Sequence, residues 1–313
     1  MTKQHLNYDQ LRDQLAVTSP LLMLDHICFD SSAGRAQASK CVTRNEAVFN
    51  GHFPAYPVLP GVLQVAAMAQ AGRVLFSAMF PGKGHPYVTQ VHRVKFRSPV
   101  QPGMILSIDC SFRKQNEDGS AEFEVKNTIV GGKLASSGFI SLAWKEEDWF
   151  APKDGAEPCP LLADVGDEFL DADGIMAVIP HRHPFMLVDR AYGLDDPAKI
   201  IGFKNVSGND PLVQATRPAL YPGYLQLESG AQLGCAAILA QPENRDKLGL
   251  YMSIDHAVFH RPALPGEQIV IHASCEMKGR FGIANGVFHV GKQIIAESST
   301  KFAIVPKEEM TSQ

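Results

Sequence analysis

Two long apolar runs, each opening on a Pro-Gly pair, are each followed by shorter segments in which apolar and polar residues take turns. From Gly61 to about Phe80 and from Gly223 to about Ala240, apolar residues occupy nearly every face. In the first run Gln64, Gln70 and Arg73 interrupt the pattern, which predicts a buried helix rather than a membrane span. Strand-like runs follow at Met104–Phe112, Ala121–Val130 and Lys133–Trp144, and again at Gln268–Met277, Gly282–Gly291 and Lys292–Val305. Turn signals such as Asn116-Glu117-Asp118-Gly119 and Gly131-Gly132 separate them. One long helix followed by an antiparallel meander predicts an α+β layout in which the helix covers one sheet face. The opening MTKQHLNYDQLRDQL predicts a short polar-faced helix and lacks the apolar stretch of a secretory signal.

The pattern recurs because the chain repeats itself. Leu22-Met23-Leu24-Asp25 matches Met186-Leu187-Val188-Asp189, and Leu59-Pro60-Gly61-Val62-Leu63-Gln64 matches Tyr221-Pro222-Gly223-Tyr224-Leu225-Gln226. Met68-Ala69-Gln70 corresponds to Gly230-Ala231-Gln232, and Phe96 through Gly103 lines up with Phe259 through Gly266. The separations are 164 residues (Asp25 to Asp189), 162 (Pro60 to Pro222) and 163 (Pro102 to Pro265). So constant an offset implies two homologous domains. They are expected at residues 1–146 and 175–313, joined by an acidic, Pro- and Gly-rich linker over 147–174 that Trp149, Phe150 and Phe169 could pin down.

Composition changes this picture little. A chain of 313 residues, 45% hydrophobic and 20% charged, has room for two ordinary cores. Its formal net charge of −4 gives no reason to expect nucleic acid or a membrane as a partner. The six scattered cysteines form no CxxC pair, and read as reduced, mostly buried thiols of a cytoplasmic protein.

The candidate chemistry lies in Asn50-Gly51-His52-Phe53-Pro54-Ala55-Tyr56-Pro57-Val58-Leu59-Pro60-Gly61. This segment resembles the GHFP…P-V-x-P-G signature of bacterial 3-hydroxyacyl-acyl-carrier-protein dehydratases. Ile179 through Arg190, read IPHRHPFMLVDR, resembles a second motif of that family, and the likeness extends over most of both halves. It implies a double hotdog, two tandem domains each with an antiparallel sheet wrapped around a central helix. It also implies an active site at the interface, with a histidine from one unit and a helix acid from the other.

Here the two halves have lost complementary groups. The first has His52, but Ala66 stands at the acidic helix position; the second has Glu228, but Thr216 stands where the histidine belongs. One composite site, His52 with Glu228, is complete, and its mate, Thr216 with Ala66, is degenerate. The resemblance implies reversible dehydration of (3R)-hydroxyacyl thioesters on acyl carrier protein to trans-2-enoyl thioesters. A neutral His52 would take the α-proton. Glu228, its pKa raised by an apolar tunnel, would protonate the departing hydroxyl. Gly61 is the expected oxyanion donor at its helix N-terminus, with Val58 and Phe53 lining the substrate pocket. Gln232, four residues after Glu228, is expected to orient the carboxyl group. Glutamate rather than aspartate at 228 leans away from the isomerising branch of the family.

No metal or organic cofactor is called for. His181 and His183 have metal-like spacing but no third ligand nearby in sequence, and read as a structural loop. Arg93, Lys95 and Arg97 could meet an acidic carrier protein, although a solvated strand face is the commoner reading. The fused pair is already a pseudo-dimer, and further homo-oligomerisation stays open. Two alternatives remain at this stage: a hotdog acyl-thioesterase, and a non-catalytic acyl-binding subunit.

Overall fold

The computed structural model describes residues 3–150, 165, 168–194 and 196–308. The first half runs β1 (Gln4–Leu6), α1 (Tyr8–Leu15), β2 (His26–Asp30), β3 (Arg35–Cys41), α2 (Gly61–Met79), β4 (His85–Phe96), β5 (Ile105–Gln115), β6 (Ala121–Ile129) and β7 (Lys133–Lys145). The second runs β8 (Phe169–Leu170), α3 (Ala172–Val178), β9 (Arg190–Tyr192), β10 (Ile200–Asn205), α4 (Pro211–Gln214), α5 (Gly223–Ala240), β11 (Lys247–Phe259), β12 (Gln268–Lys278), β13 (Phe281–Val290) and β14 (Gln293–Pro306).

The described strands form one antiparallel sheet of fourteen, ordered β1-β2-β3-β5-β6-β7-β4-β11-β14-β13-β12-β10-β9-β8. Each strand on one side has its repeat on the other, so the order reads the same from either end. The centre of this symmetry falls between β4 and β11, where Ile254 pairs with Val94 and His256 with His92. The two halves therefore share a continuous ladder of main-chain hydrogen bonds. The chain is an α+β double hotdog, with α2 and α5 lying against the sheet and against each other.

The repeated motifs hold helix and sheet together. The Gln70 side chain accepts from the Met23 amide at 2.8 Å and donates to the Leu21 carbonyl at 2.7 Å. Gln232 repeats this, accepting from the Leu187 amide at 2.9 Å and donating to the Phe185 carbonyl at 3.0 Å. Each glutamine thus satisfies main-chain groups that would otherwise be buried unpaired. Asp25 and Asp189 take the amides of Cys41 and Asn205 at 2.5 and 2.6 Å, tying the loop before β2 to β3 and its repeat to β10. Close approach of helix to sheet is fixed at Gly72, where a Cβ would lie 2.5 Å from the Ile140 side chain.

Two elements of the repeat, β8 and the start of α3, lie ahead of residue 175, where the second domain is expected to open. Strand β8 pairs with β9, and α3 repeats α1 at an offset of 164 residues. Hydrogen bonding in a short strand and an Asp171 cap on α3 are local signals too brief to separate from linker composition. Most of the linker lies outside the described residues. At its ends Trp149 packs on Tyr87 with ring centroids 4.6 Å apart, and Phe169 on Tyr192 at 5.4 Å, so the aromatic anchors act as expected. The thiols are less buried than expected: of the five described, Cys110 and Cys275 are buried and Cys41 is exposed, while Cys159 lies outside the described residues. Helix α2 is long and apolar enough to cross a membrane, and most of it is buried inside the protein.

Candidate active site

His52 lies in the loop entering α2, and Glu228 projects from the second turn of α5. The loop holds the imidazole in one tautomer: Nδ1 donates to the Val58 carbonyl at 2.8 Å, which leaves the Nε2 lone pair free. Phe53 stacks on the same ring, with centroids 4.0 Å apart. Burial chiefly, and the neighbouring His181 charge second, lower the His52 pKa to about 4 against the opposing pull of Glu228. His52 is therefore a neutral base across the physiological range.

Glu228 is 4% exposed. Gln232, one turn on, donates to its Oε1 at 3.1 Å. The expectation of a raised pKa is overturned. Burial does push the carboxyl group up, but the hydrogen bond and charge of His181, the charge of His52 and the Gln232 bond together outweigh it. The net direction is down, so Glu228 is a carboxylate in the free protein.

His181 is the residue that sequence reasoning set aside. Its Nε2 lies 3.5 Å from Glu228 Oε1, both side chains are buried, and its ring centroid is 5.3 Å from that of His52. The structural-loop reading suits His183, which is exposed, and fails for His181. The third partner that seemed lacking comes from distant sequence: donor atoms of His52, His181 and Glu228 all lie within 4.8 Å of one another. Donors around tetrahedral zinc, each about 2.0–2.1 Å from the ion, stand roughly 3.4 Å apart. His181 Nε2 and Glu228 Oε1, 3.5 Å apart, are near that spacing, and the limit of 4.8 Å for the whole trio is wider.

These groups open into a cavity of about 490 Å³ whose walls include Leu59, Phe96, Ile238, Leu239, Tyr251 and Phe302. Val58, Phe53 and Gly61, the last at the start of α2, also line it. A Cβ on Gly61 would meet the Phe96 ring at 2.9 Å. Pro60, the N-cap, provides no side-chain bond, and among the described residues no acceptor takes the Gly61 amide.

The pseudo-symmetric site is filled. Thr216 is buried and ties its own turn, accepting from the Leu220 amide at 3.0 Å, while Ala66 is fully buried in α2. The Gly223 amide, counterpart of Gly61, donates to the Tyr87 hydroxyl at 3.1 Å. Arg73 occupies the position matching Cys235 of the open cavity, and its guanidinium donates to the Leu15 carbonyl at 2.9 Å. About 70 Å³ remains there. Arg217, which follows Thr216, lines this cavity and is exposed.

Comparison with known proteins agrees with this layout. The ApeI dehydratase family model matches residues 29–138, and the FabA-like domain model matches residues 179–299. Among curated relatives, the 3-hydroxyacyl-acyl-carrier-protein dehydratase FabZ of Symbiobacterium thermophilum is 42% identical over 133 residues, which is 94% of that protein and 42% of this chain. FabZ of Pelotomaculum thermopropionicum is 40% identical over 138 residues, 99% of its length and 43% of this chain. Among solved structures, the dehydratase domain of the CurJ module of curacin polyketide synthase superposes with a TM-score of 0.65 at 12% identity, covering 92% of this chain and 98% of that one. A trans-AT polyketide synthase dehydratase domain from Brevibacillus brevis gives 0.64 at 12%, covering 93% and 99%. The relatives match about half the chain at a time, and the structural neighbours match nearly all of it.

Proposed function

The chain belongs to the 3-hydroxyacyl-acyl-carrier-protein dehydratase family, and from that premise we propose that its dehydration of hydroxyacyl thioesters takes place at one site shared by its two halves. The observation that carries this reading is the convergence of His52 and Glu228, from opposite halves, in the larger cavity, while the mate holds Thr216 and Ala66.

In this reading the acyl chain of a (3R)-hydroxyacyl thioester lies along the apolar wall. The Gly61 amide, at the positive end of α2, donates to the thioester oxygen as enolate charge builds there. His52 Nε2 takes the α-proton, and the Val58 carbonyl stabilises the imidazolium through Nδ1–H. Glu228, oriented by Gln232, gives a proton to the β-hydroxyl, and water departs. The product is a trans-2-enoyl thioester.

We further infer that acyl carrier protein is the bearer of the substrate. Exposed Arg97 and Arg280 stand in the outer wall of the cavity with Lys95 beside them; Lys301 and Lys278 there pair with Asp255 and Glu276, which leaves the rim with an excess of positive charge suited to an acidic carrier. Domains over residues 1–146 and 175–313, the second with β8 and α3 ahead of it, and the pseudo-dimeric state belong to the same proposal. The test is an assay of a 3-hydroxyacyl-carrier-protein substrate with separation of products. Enoyl thioester is expected; free acid as the product would replace the dehydratase reading with thioester hydrolysis.

A further inference from the structure

The proposed reaction leaves one problem at Glu228, which must donate a proton although its surroundings keep it ionised. The nearest group able to hold that proton is His181. Its Nε2 faces Glu228 Oε1 at 3.5 Å, and the two side chains are 7% and 5% exposed, so no solvent screens the contact. The groups facing His181 are few. Among the described residues they are Glu228, His52 and the ring of Phe53, while Phe185 packs against His52. Arg182 beside it is turned back onto the main-chain carbonyls of Ile179 and His181. Tyr251 and Cys235 share the cavity, and burial pushes both pKa values up, that of Cys235 to about 12, so neither supplies a charge.

The internal repeat provides a second, independent observation. At the 164-residue offset that matches Pro20 with Pro184 and Asp25 with Asp189, His181 corresponds to Val17. Val17 bridges Thr216, the counterpart of His52, by main-chain pairing. The degenerate site has therefore lost three groups, not two: His52 became Thr216, Glu228 became Ala66, and His181 became Val17. The counterpart of His181 is thus absent from the site in which both of its partners, the histidine and the helix carboxylate, are also absent.

We propose that His181 is a positioning residue that stores the proton Glu228 delivers, so that the His181–Glu228 pair, rather than the carboxyl group alone, is the acid. This rests on the assignment of Glu228 as acid. The proton balance closes. At the start the pair holds one proton and His52 is neutral. The α C–H bond breaks with its proton passing to His52 Nε2. The β C–O bond breaks as the pair's proton passes through Glu228 to the leaving oxygen, giving enoyl thioester and water. The enzyme is then left with a protonated His52 and an empty pair. Return of the proton from His52 to the pair, across rings 5.3 Å apart, restores the starting state with no net gain or loss.

The test compares kcat and kcat/KM against pH for the wild type, His181→Gln, His181→Asn and Glu228→Gln. Glutamine keeps an N–H donor near the Nε2 position but cannot carry the extra proton; asparagine loses that donor as well. An imidazolium holds its proton to higher pH than a carboxyl group does. His181→Gln should therefore keep KM within about threefold, lose about 10- to 100-fold in kcat at pH 7.5, and show an alkaline limb at least about one unit lower than wild type. Part of the activity should return as the pH is lowered. An even loss at every pH in both His181 variants, or an unmoved alkaline limb in His181→Gln, overturns the proposal. Wild-type activity in Glu228→Gln would instead remove the underlying assignment of the acid, whatever the His181 variants do.

Discussion

Acidification addresses the base directly, because only a neutral imidazole can take the α-proton. Burial first, and the His181 charge second, move His52 from 6.5 to about 4. At pH 5 an imidazole with the ordinary value is about 3% neutral, whereas one at about 4 is about 90% neutral, roughly a 30-fold difference in competent enzyme. The assay is kcat/KM, which follows free-enzyme ionisation, measured from pH 4 to 8 by the absorbance of the enoyl thioester. Activity should hold within about twofold of its plateau down to pH 5 and then fall with a midpoint near 4. The same shift has a stability consequence of definite sign. The folded pKa is depressed, so between 6.5 and about 4 the unfolded chain binds the extra proton and the folded one does not. The contribution, about 3 kcal/mol, is fully present above pH 6.5 and is lost as pH falls toward 4. His52→Gln should remove that slope from urea midpoints measured across the range. An acid limb centred near 6.5, or identical slopes in the two proteins, would refute the buried-base argument.

Other outcomes follow from the same geometry. His52→Ala and Glu228→Gln should each lower kcat by about two to four orders of magnitude with the fold intact by circular dichroism. Gly61→Ala places a methyl 2.9 Å from the Phe96 ring, so it should depress kcat by at least about tenfold; Gly61→Ala kinetics equal to wild type would exclude that amide as the oxyanion donor. Thr216→His with Ala66→Glu, made in a His52→Ala background, should restore no turnover, because Tyr87 already occupies the Gly223 amide and only about 70 Å³ is open. The same Ala66→Glu change buries a carboxyl group where the helix is fully covered, and should cost about 3–5 kcal/mol by chemical denaturation. Arg97→Glu should raise KM several-fold for a carrier-protein substrate and leave KM for a short free thioester unchanged; equal effects on both would detach the basic rim from carrier binding.

The legible part of the fold was what the repeat and the local pattern encode. Both long helices, and the three strands after each, fall within a few residues of the expected limits, since apolar runs and Gly-rich turns are local signals. Strands β4 and β11 are not among the runs delimited from the sequence, although Arg93 and Lys95 of β4 read as part of a strand face. Their mixed polar sequence, HPYVTQVHRVKF in β4, reflects strands joined to each other in the middle of the sheet, a partnership no local pattern displays. At the site, His52 and Glu228 stood out by comparison of the two halves and Gln232 by its spacing from Glu228, and the structure brings them together. His181 did not, because its partners lie 129 residues before it and 47 after it, and two imidazoles two residues apart suggested a ligand pair. The sign of the Glu228 shift went wrong for the same reason: burial was foreseeable from the helix, but the imidazole opposing it was not. Nor did Tyr87 carry any mark of its role in closing the second site.

The central claim is that one chain completes one active site by itself, and it is tested by mixing. His52→Ala and Glu228→Gln chains, each inactive alone, are co-expressed, purified together and assayed. If His52 and Glu228 of the same chain form the site, the mixture has no more activity than the single variants. Recovery toward a quarter of wild-type activity would mean that the two residues meet between chains, and would contradict the composite intrachain site.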